Sequence, residues 1–421
     1  MTAVSAIRFD RAAWARAADY LAVAVAITLP WSSSGTSITV GLWLVALVPS
    51  LDWQALRREI MTPAGGLPVA LVVLGGLGML WADVTFVDRW RGVESFLKLL
   101  VIPLLFAQFR TSERGLWPLG AYLASATALL AVSFFIAAVP SMVWSTTKSL
   151  GVPVKDYIAQ SAEFTLAAFG ALYLALQRAK EGRWPLAAAF ALLGVLFLSN
   201  IFYVATSRTA LVTLPALLAL IVVTRCTGKI RAAMVVAGIG AVIAVWFLSP
   251  LMRERLSSLP TEIQQFRSAG TRTSAGDRID FWSKGLAIVR DAPLIGHGTG
   301  SIREMYQRAA IDKTGTTFEV TDNPHNQTFA VAIQLGLAGA ILLWAMWIAH
   351  FAVFVRAHGV AGFAGLAVVA QNIVGSLFNT HLFDFTHGWI YAFGVGIAGG
   401  AVLAQSRGSP ISASKKRRGG R

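Results

Sequence analysis

The chain has 421 residues, with 36 Lys and Arg against 21 Asp and Glu, a formal charge of +15, and a single cysteine. Hydrophobic residues make up 56% and charged residues 14%, with a mean hydropathy of +0.62, whereas soluble domains carry about 25% charge. One cysteine excludes an intrachain disulfide and a cysteine-built zinc site. Apolar runs long enough for ~30 Å of hydrocarbon recur throughout, so an all-α integral membrane protein is expected and nucleic acid is not an expected partner.

Arg8, Arg11 and Arg16 precede the first expected span, 17–31. The SSSGTSIT that follows lacks a clear small-x-small cleavage site, so this span is expected to be retained. Further spans are expected at 38–51, 67–81, 93–109, 116–139, 162–177, 184–205, 210–224 and 232–248. After a long polar segment come 334–355, 362–378 and 389–405, about twelve spans in all. The organisation is then 1–248 spans, 249–333 one large periplasmic loop, 334–405 spans, and 406–421 a basic cytoplasmic tail. The span at 93–109 contains Glu94 and Lys98, so its outer end must be wet or face protein.

Arg57 and Arg58, Arg110 and Arg114, Arg178 and Lys180, Arg225 and Arg231, and Arg356 fall in alternate short loops, on the same side as the tail. The positive-inside bias makes that side cytoplasmic, with both termini there, and the tail reads as an anchor against anionic membrane lipid. Topology leaves an outer surplus: Arg89, Arg91, Lys98, Lys148, Lys155, Arg208 and the cations of 249–324. Either an anionic ligand such as a lipid phosphate sits there, or acids from Glu254 to Asp322 balance a solvated loop.

Within that loop, MRERLSSLPTEIQQFRSAG and GDRIDFWSKGLAIVRDAP have helical spacing, with Ile279, Trp282, Leu286 and Val289 on one face of the second. Both read as amphipathic helices on the membrane or over the bundle. PLIGHGTGS contains GxGxG but follows no strand, which argues against a nucleotide site.

Chemistry gathers at DNPHNQ, 322–327, just before an apolar run. Pro324 suits a first helical position with Asn323 or Asp322 as the cap. His325 would then lie in the first turn, where the positive helix end keeps the ring neutral and fit to act as a general base. A histidine merely hydrogen-bonded at a helix start is the plainer reading. Asn326 is a secondary candidate beside it. Arg208, in VATSRTALV, sits between two apolar runs and must face water, a partner or a ligand. Arg278, in AGDRIDFW, either binds an anion or pairs with Asp277 or Asp280. The planar arginine fork suits phosphate. In THLFDFTHG, His381, Asp384 and His387 have i, i+3, i+6 spacing, which suits a metal if helical and a polar connecting loop otherwise. In WADVTFVDRWRGVE, Arg89 and Arg91 interrupt the carboxylates Asp83, Asp88 and Glu94 and read as a second anion contact rather than a divalent-ion site. No metal or cofactor is expected.

SRTAL, GDRIDFWSKGLAIVRDAPLIGHGTGS and PHNQTFAVAIQLGLAG, all within 202–339, resemble the superfamily of O-antigen ligases, O-antigen polymerases and bacterial O-oligosaccharyltransferases. The resemblance implies many spans with a large periplasmic loop over a cavity, in the bacterial inner membrane. It implies transfer of a glycan from undecaprenyl diphosphate to an acceptor, with Arg208 and Arg278 holding the diphosphate and His325 activating the acceptor hydroxyl. One long outer loop and no added C-terminal domain favour a ligase acting on lipid A–core. A polymerase or protein oligosaccharyltransferase is the alternative within the superfamily. A multispan transporter is the alternative outside it, but the centres of most spans lack charge and no repeat is evident.

Overall fold

The computed structural model describes residues 10–139, 150–225, 227–269, 271–310 and 320–408. Arg8, Lys148, Cys226 and nearly all of the basic tail lie outside them. Every regular element among the described residues is helical. The first half holds α1 Arg11–Thr28, α2 Ser33–Ser50, α3 Trp53–Ile60, α4 Pro63–Leu77, α5 Phe86–Leu97, α6 Val101–Phe109, α7 Trp117–Ala138 and α8 Tyr157–Lys180. Then come α9 Trp184–Tyr203, α10 Arg208–Arg225, α11 Gly228–Leu248, α12 Pro250–Ala269, α13 Ser274–Asp291 and α14 Ile302–Ala310. The chain continues with α15 Gln327–Val355, α16 Gly359–Ser376 and α17 Phe385–Gly408.

Ten described helices are long and apolar enough to cross a membrane, and the chain is a multi-pass membrane protein. The sequence suggested about twelve spans. Helices stand at the other two places as well. α1 carries Arg11, Arg16 and Asp19 within its 18 residues, which lowers its hydropathy. α11 contributes an apolar stretch at Arg231–Gly240. α5 and α6 join through a 3-10 turn at Lys98–Leu100, so the fourth span starts earlier than expected and runs over Phe86–Phe109. Its Lys98 is protein-facing: the ammonium donates to the carbonyls of Phe383 at 3.1 Å and Asp384 at 2.9 Å.

The core lies where α4, the α5–α6 span, α15 and α17 meet, around Phe96, Leu99, Phe106, Leu335, Trp347 and Tyr391. Small residues set the helix spacing. A side chain at Gly396, Gly399 or Gly400 of α17 would run into Leu105, Phe106 or Phe109 of α6, the close approach by which membrane helices associate. Arg110, Arg114, Arg225 and Arg356 lie at one end of the bundle, the basic end. The starts of α10 and α15 lie at the other, where α12 to α14 also gather.

α15 starts at Gln327, seven residues before the expected span, and it is two helices in one. Gly336 breaks it at φ 61°, ψ −158°, a region only glycine enters readily. The break frees backbone groups that a membrane protein must satisfy internally. The glycine-rich turn supplies the partners. His297 N and Gly298 N each donate at 2.9 Å to the carbonyls of Ile333 and Gln334, while Leu337 N and Ala338 N donate to Pro293 and Leu294. Gly300 N bonds the Gln334 side chain at 2.7 Å, and Thr299 Oγ1 donates to Gly75 O at 2.5 Å. The GHGTG sequence is therefore a splice around a helix break. Its glycines are needed because a Cβ at Gly296 or Gly298 would lie about 2.5 Å from the backbone of Gln334 or Ala82.

The buried face of α13 is Phe281, Lys284, Gly285 and Ile288. Of the apolar stripe read from the spacing, Ile279 and Leu286 are exposed, whereas Val289 packs against the Phe281–Ile288 cluster and Trp282 donates to the His325 carbonyl.

Candidate active site

Three elements from distant parts of the chain supply the residues. α10 begins at Arg208 immediately after the buried Thr206 and Ser207, and Ser207 caps it by accepting from Ala210 N at 3.1 Å. α13 begins at Ser274 under a Thr273 cap, placing Arg278 in its second turn. His325 lies just before α15. Its own N–H donates to Asn323 Oδ1 at 2.8 Å, Trp282 Nε1 donates to its carbonyl at 3.3 Å, and its backbone is left-handed at φ 50°.

This corrects the helix-start reading. Asn326, not Asn323 or Asp322, is the cap, accepting from Thr328 N at 2.9 Å and Phe329 N at 3.2 Å. Pro324 is outside the helix, and His325 precedes the first turn instead of sitting in it. Asp322, Asn323, Pro324 and Asn326 each favour a turn over helix, and the turn extends until Asn326 caps. The histidine is still held down in pKa, for other reasons: burial first, then the Arg278 charge, against a side-chain hydrogen bond with Asn379. Its ring stacks on Phe281 with centroids 5.9 Å apart, and its buried Nδ1 has no hydrogen-bond partner.

Arg278 is the distinctive group. Its flanking acids are taken: Asp277 pairs with Arg272 at 3.4 Å and Asp280 with Lys284 at 2.5 Å. The local salt bridge that the sequence allowed is absent, and this half-buried guanidinium makes no ion pair or hydrogen bond among the described residues. Burial and the neighbouring Arg208 charge push its pKa down. Two cations are thus held close together, with a neutral imidazole near the second. Arg208 faces Glu262 of α12. Its Nη1 donates to one carboxylate oxygen at 3.1 Å and its Nη2 to the other, and Nη2 also donates to Ser258 Oγ at 3.3 Å. Nothing in the sequence singled out Glu262, which is 54 residues from its partner.

Arg89 and Arg91 are separate from this group, while Asn326 and the His381–His387 pair lie beside it. Arg89 is committed to backbone, donating to Val84 O at 3.0 Å and Met79 O at 3.1 Å. Arg91 is 74% exposed, with a long 4.0 Å pair to Asp88. Asp83 pairs with Arg308 at 2.6 Å. Asn326, besides capping, donates to Leu377 O at 3.2 Å. His381 and His387 stack with centroids 3.9 Å apart, and His387 Nδ1 meets Asp384 at 2.6 Å. Burial opposes the Asp384 carboxylate, but the His387 contact outweighs it and holds the group well below the usual range. The two histidines line a small cavity with Ser207 and Thr209, next to Arg208. The three do not form a group able to hold a metal ion, nor does any other cluster among the described residues.

Residues 193–344 match the family model described as O-Antigen ligase, so this segment is similar to that family. Arg208, Glu262, Arg278 and His325 all fall within it. Arg89, Arg91, His381, Asp384 and His387 fall outside. No curated protein matches the chain.

Proposed function

We propose, from the similarity to the O-antigen ligase family, that the chain moves O-antigen from undecaprenyl diphosphate to lipid A–core at the periplasmic face of the bacterial inner membrane. In this reading Arg208 and Arg278 hold the diphosphate and His325 is the base. The observation that carries it is Arg278: a half-buried guanidinium beside a second arginine and a neutral histidine, without an acid of its own. Such a charge is costly to keep unless a ligand meets it.

The acceptor hydroxyl attacks the anomeric carbon as its proton passes to the neutral imidazole. The bond from that carbon to the diphosphate oxygen breaks, and the leaving charge develops on phosphate beside two preorganised cations. Base and leaving group on opposite sides of the sugar carbon give single displacement with inversion. The 249–333 segment forms the cap of the site in this reading, and the basic end, with both termini, faces the cytoplasm. A polymerase or protein oligosaccharyltransferase would use the same donor half-site with another acceptor.

The test is complementation of a ligase-deficient Gram-negative strain, with wild type and Arg208→Ala, Arg278→Ala and His325→Ala variants at matched membrane levels. The expected result is a lipopolysaccharide ladder from wild type that all three variants lose. A ladder that survives His325→Ala removes the histidine as base. A ladder restored only in a polymerase-deficient strain moves the protein to the polymerase branch.

A further inference from the structure

We propose that Glu262 is a built-in occupant of the anion site: its carboxylate fills the Arg208 fork until a ligand with more than one negative charge displaces it. The inference rests on the reading of Arg208 and Arg278 as that site.

The donors around Glu262 are those a phosphate would use. The Arg208 fork meets both oxygens, Ser258 Oγ donates to Oε1 at 3.1 Å, and Ala275 N, in the first turn of α13, donates to Oε2 at 3.3 Å. A fork, a hydroxyl and a helix N-terminus together are a common way to bind phosphate. These contacts, the Arg208 hydrogen bond foremost, hold the Glu262 pKa below its usual range, so the occupant is an anion at neutral pH.

Glu262 makes its ion pair with Arg208; its charge also reaches Arg278, which makes no ion pair of its own. A monoanion entering the site exchanges charge for charge with Glu262 and gains little. A diphosphate gains the Arg208 fork and Arg278 together. Phospholipid headgroups carrying a single negative charge, which are abundant at a membrane surface, are disfavoured by this competition. The exchange is small in scale. Thr273 Oγ1 donates to the Glu262 carbonyl at 3.0 Å and holds the backbone. The two charged side chains are each 18% exposed, so the pair reaches solvent, and release of Glu262 requires its side chain to rotate toward that exposed side.

The experiment titrates the full-length protein in nanodiscs with inorganic pyrophosphate and, separately, dimethyl phosphate, a diester that carries one negative charge. Wild type is compared with Glu262→Gln, Glu262→Ala and Arg278→Ala. Removing the competitor is expected to tighten pyrophosphate binding about tenfold in both Glu262 variants and to make dimethyl phosphate binding measurable. Unchanged or weaker pyrophosphate binding in the Glu262 variants, with binding still lost in Arg278→Ala, overturns the proposal and leaves the anion site standing. Pyrophosphate binding absent from wild type and both Glu262 variants alike, or undiminished in Arg278→Ala, overturns the anion site and the proposal together.

Discussion

At the basic end, Arg110 pairs with Glu59, whose side chain is 1% exposed. Arg114 meets Asp19 at 3.4 Å and lies over the rings of Tyr20 and Trp117. Arg225 donates to the carbonyls of Phe354 at 2.9 Å and Ala357 at 2.6 Å. At the opposite end, Arg278 meets no acid, the His325 Nδ1 meets nothing, and both ring nitrogens of His381 are buried without partners. These arginines are tied off at the basic end; at the other, Arg208 is paired with Glu262 and Arg278 is left open. A buried charge that holds helices together is recognised by its partner, and one kept for a ligand by the lack of one.

The contrast breaks most visibly at Arg110→Ala. Leaving Glu59 buried and alone is expected to destabilise the protein by about 3–5 kcal/mol, read as a lower Tm in detergent, with activity per folded molecule retained. Arg278→Ala is expected to do the reverse: Tm unchanged, because no internal bond is lost, and transfer activity reduced about 10²–10³-fold. A lower Tm there would show a structural role and erase the distinction between the two ends. Gly336→Ala, which strains the helix break, is expected to cost about 1–3 kcal/mol or more, measured by thermal melting.

The pH profile sharpens the same comparison. Because burial and then the Arg278 charge hold the His325 pKa below that of an ordinary imidazole, the neutral ring is favoured at neutral pH. Activity is then lost only as pH falls through that lowered value. Arg278→Ala removes a depressing charge, so the acid limb of its residual kcat/KM is expected to move to higher pH, whereas Arg278→Lys keeps the limb in place. The smallest effect is expected at Arg91→Ala, whose side chain is mostly exposed: a stability change within about 0.5 kcal/mol and activity close to wild type.

Much of this was legible in the residues. The spans follow from apolar length, and Arg208, Arg278 and His325 stand out as polar groups beside apolar runs that do not need them. What made Arg278 informative was half legible: Lys284 lies four residues after Asp280, a spacing at which helical side chains meet. Glu262 was not legible, because no local pattern joins residues so far apart in the chain. Nor was the turn at His325, where Asp322, Asn323 and Asn326 all competed for the cap. His381 and His387 show the converse: their spacing allowed a common ligand or a polar connection, and the two rings stack on each other.

The break at Gly336 is bridged rather than free. His297 and Gly298 bond to residues 333 and 334 on one side of it, and Pro293 and Leu294 bond to residues 337 and 338 on the other, while Val331 and Leu335 pack in the same core as Leu343 and Trp347. A thicker or thinner bilayer changes the tilt of its spans. Here 293–300 clamps both halves of α15, so retilting of the long half is passed on to the segment that carries His325 rather than absorbed at the break.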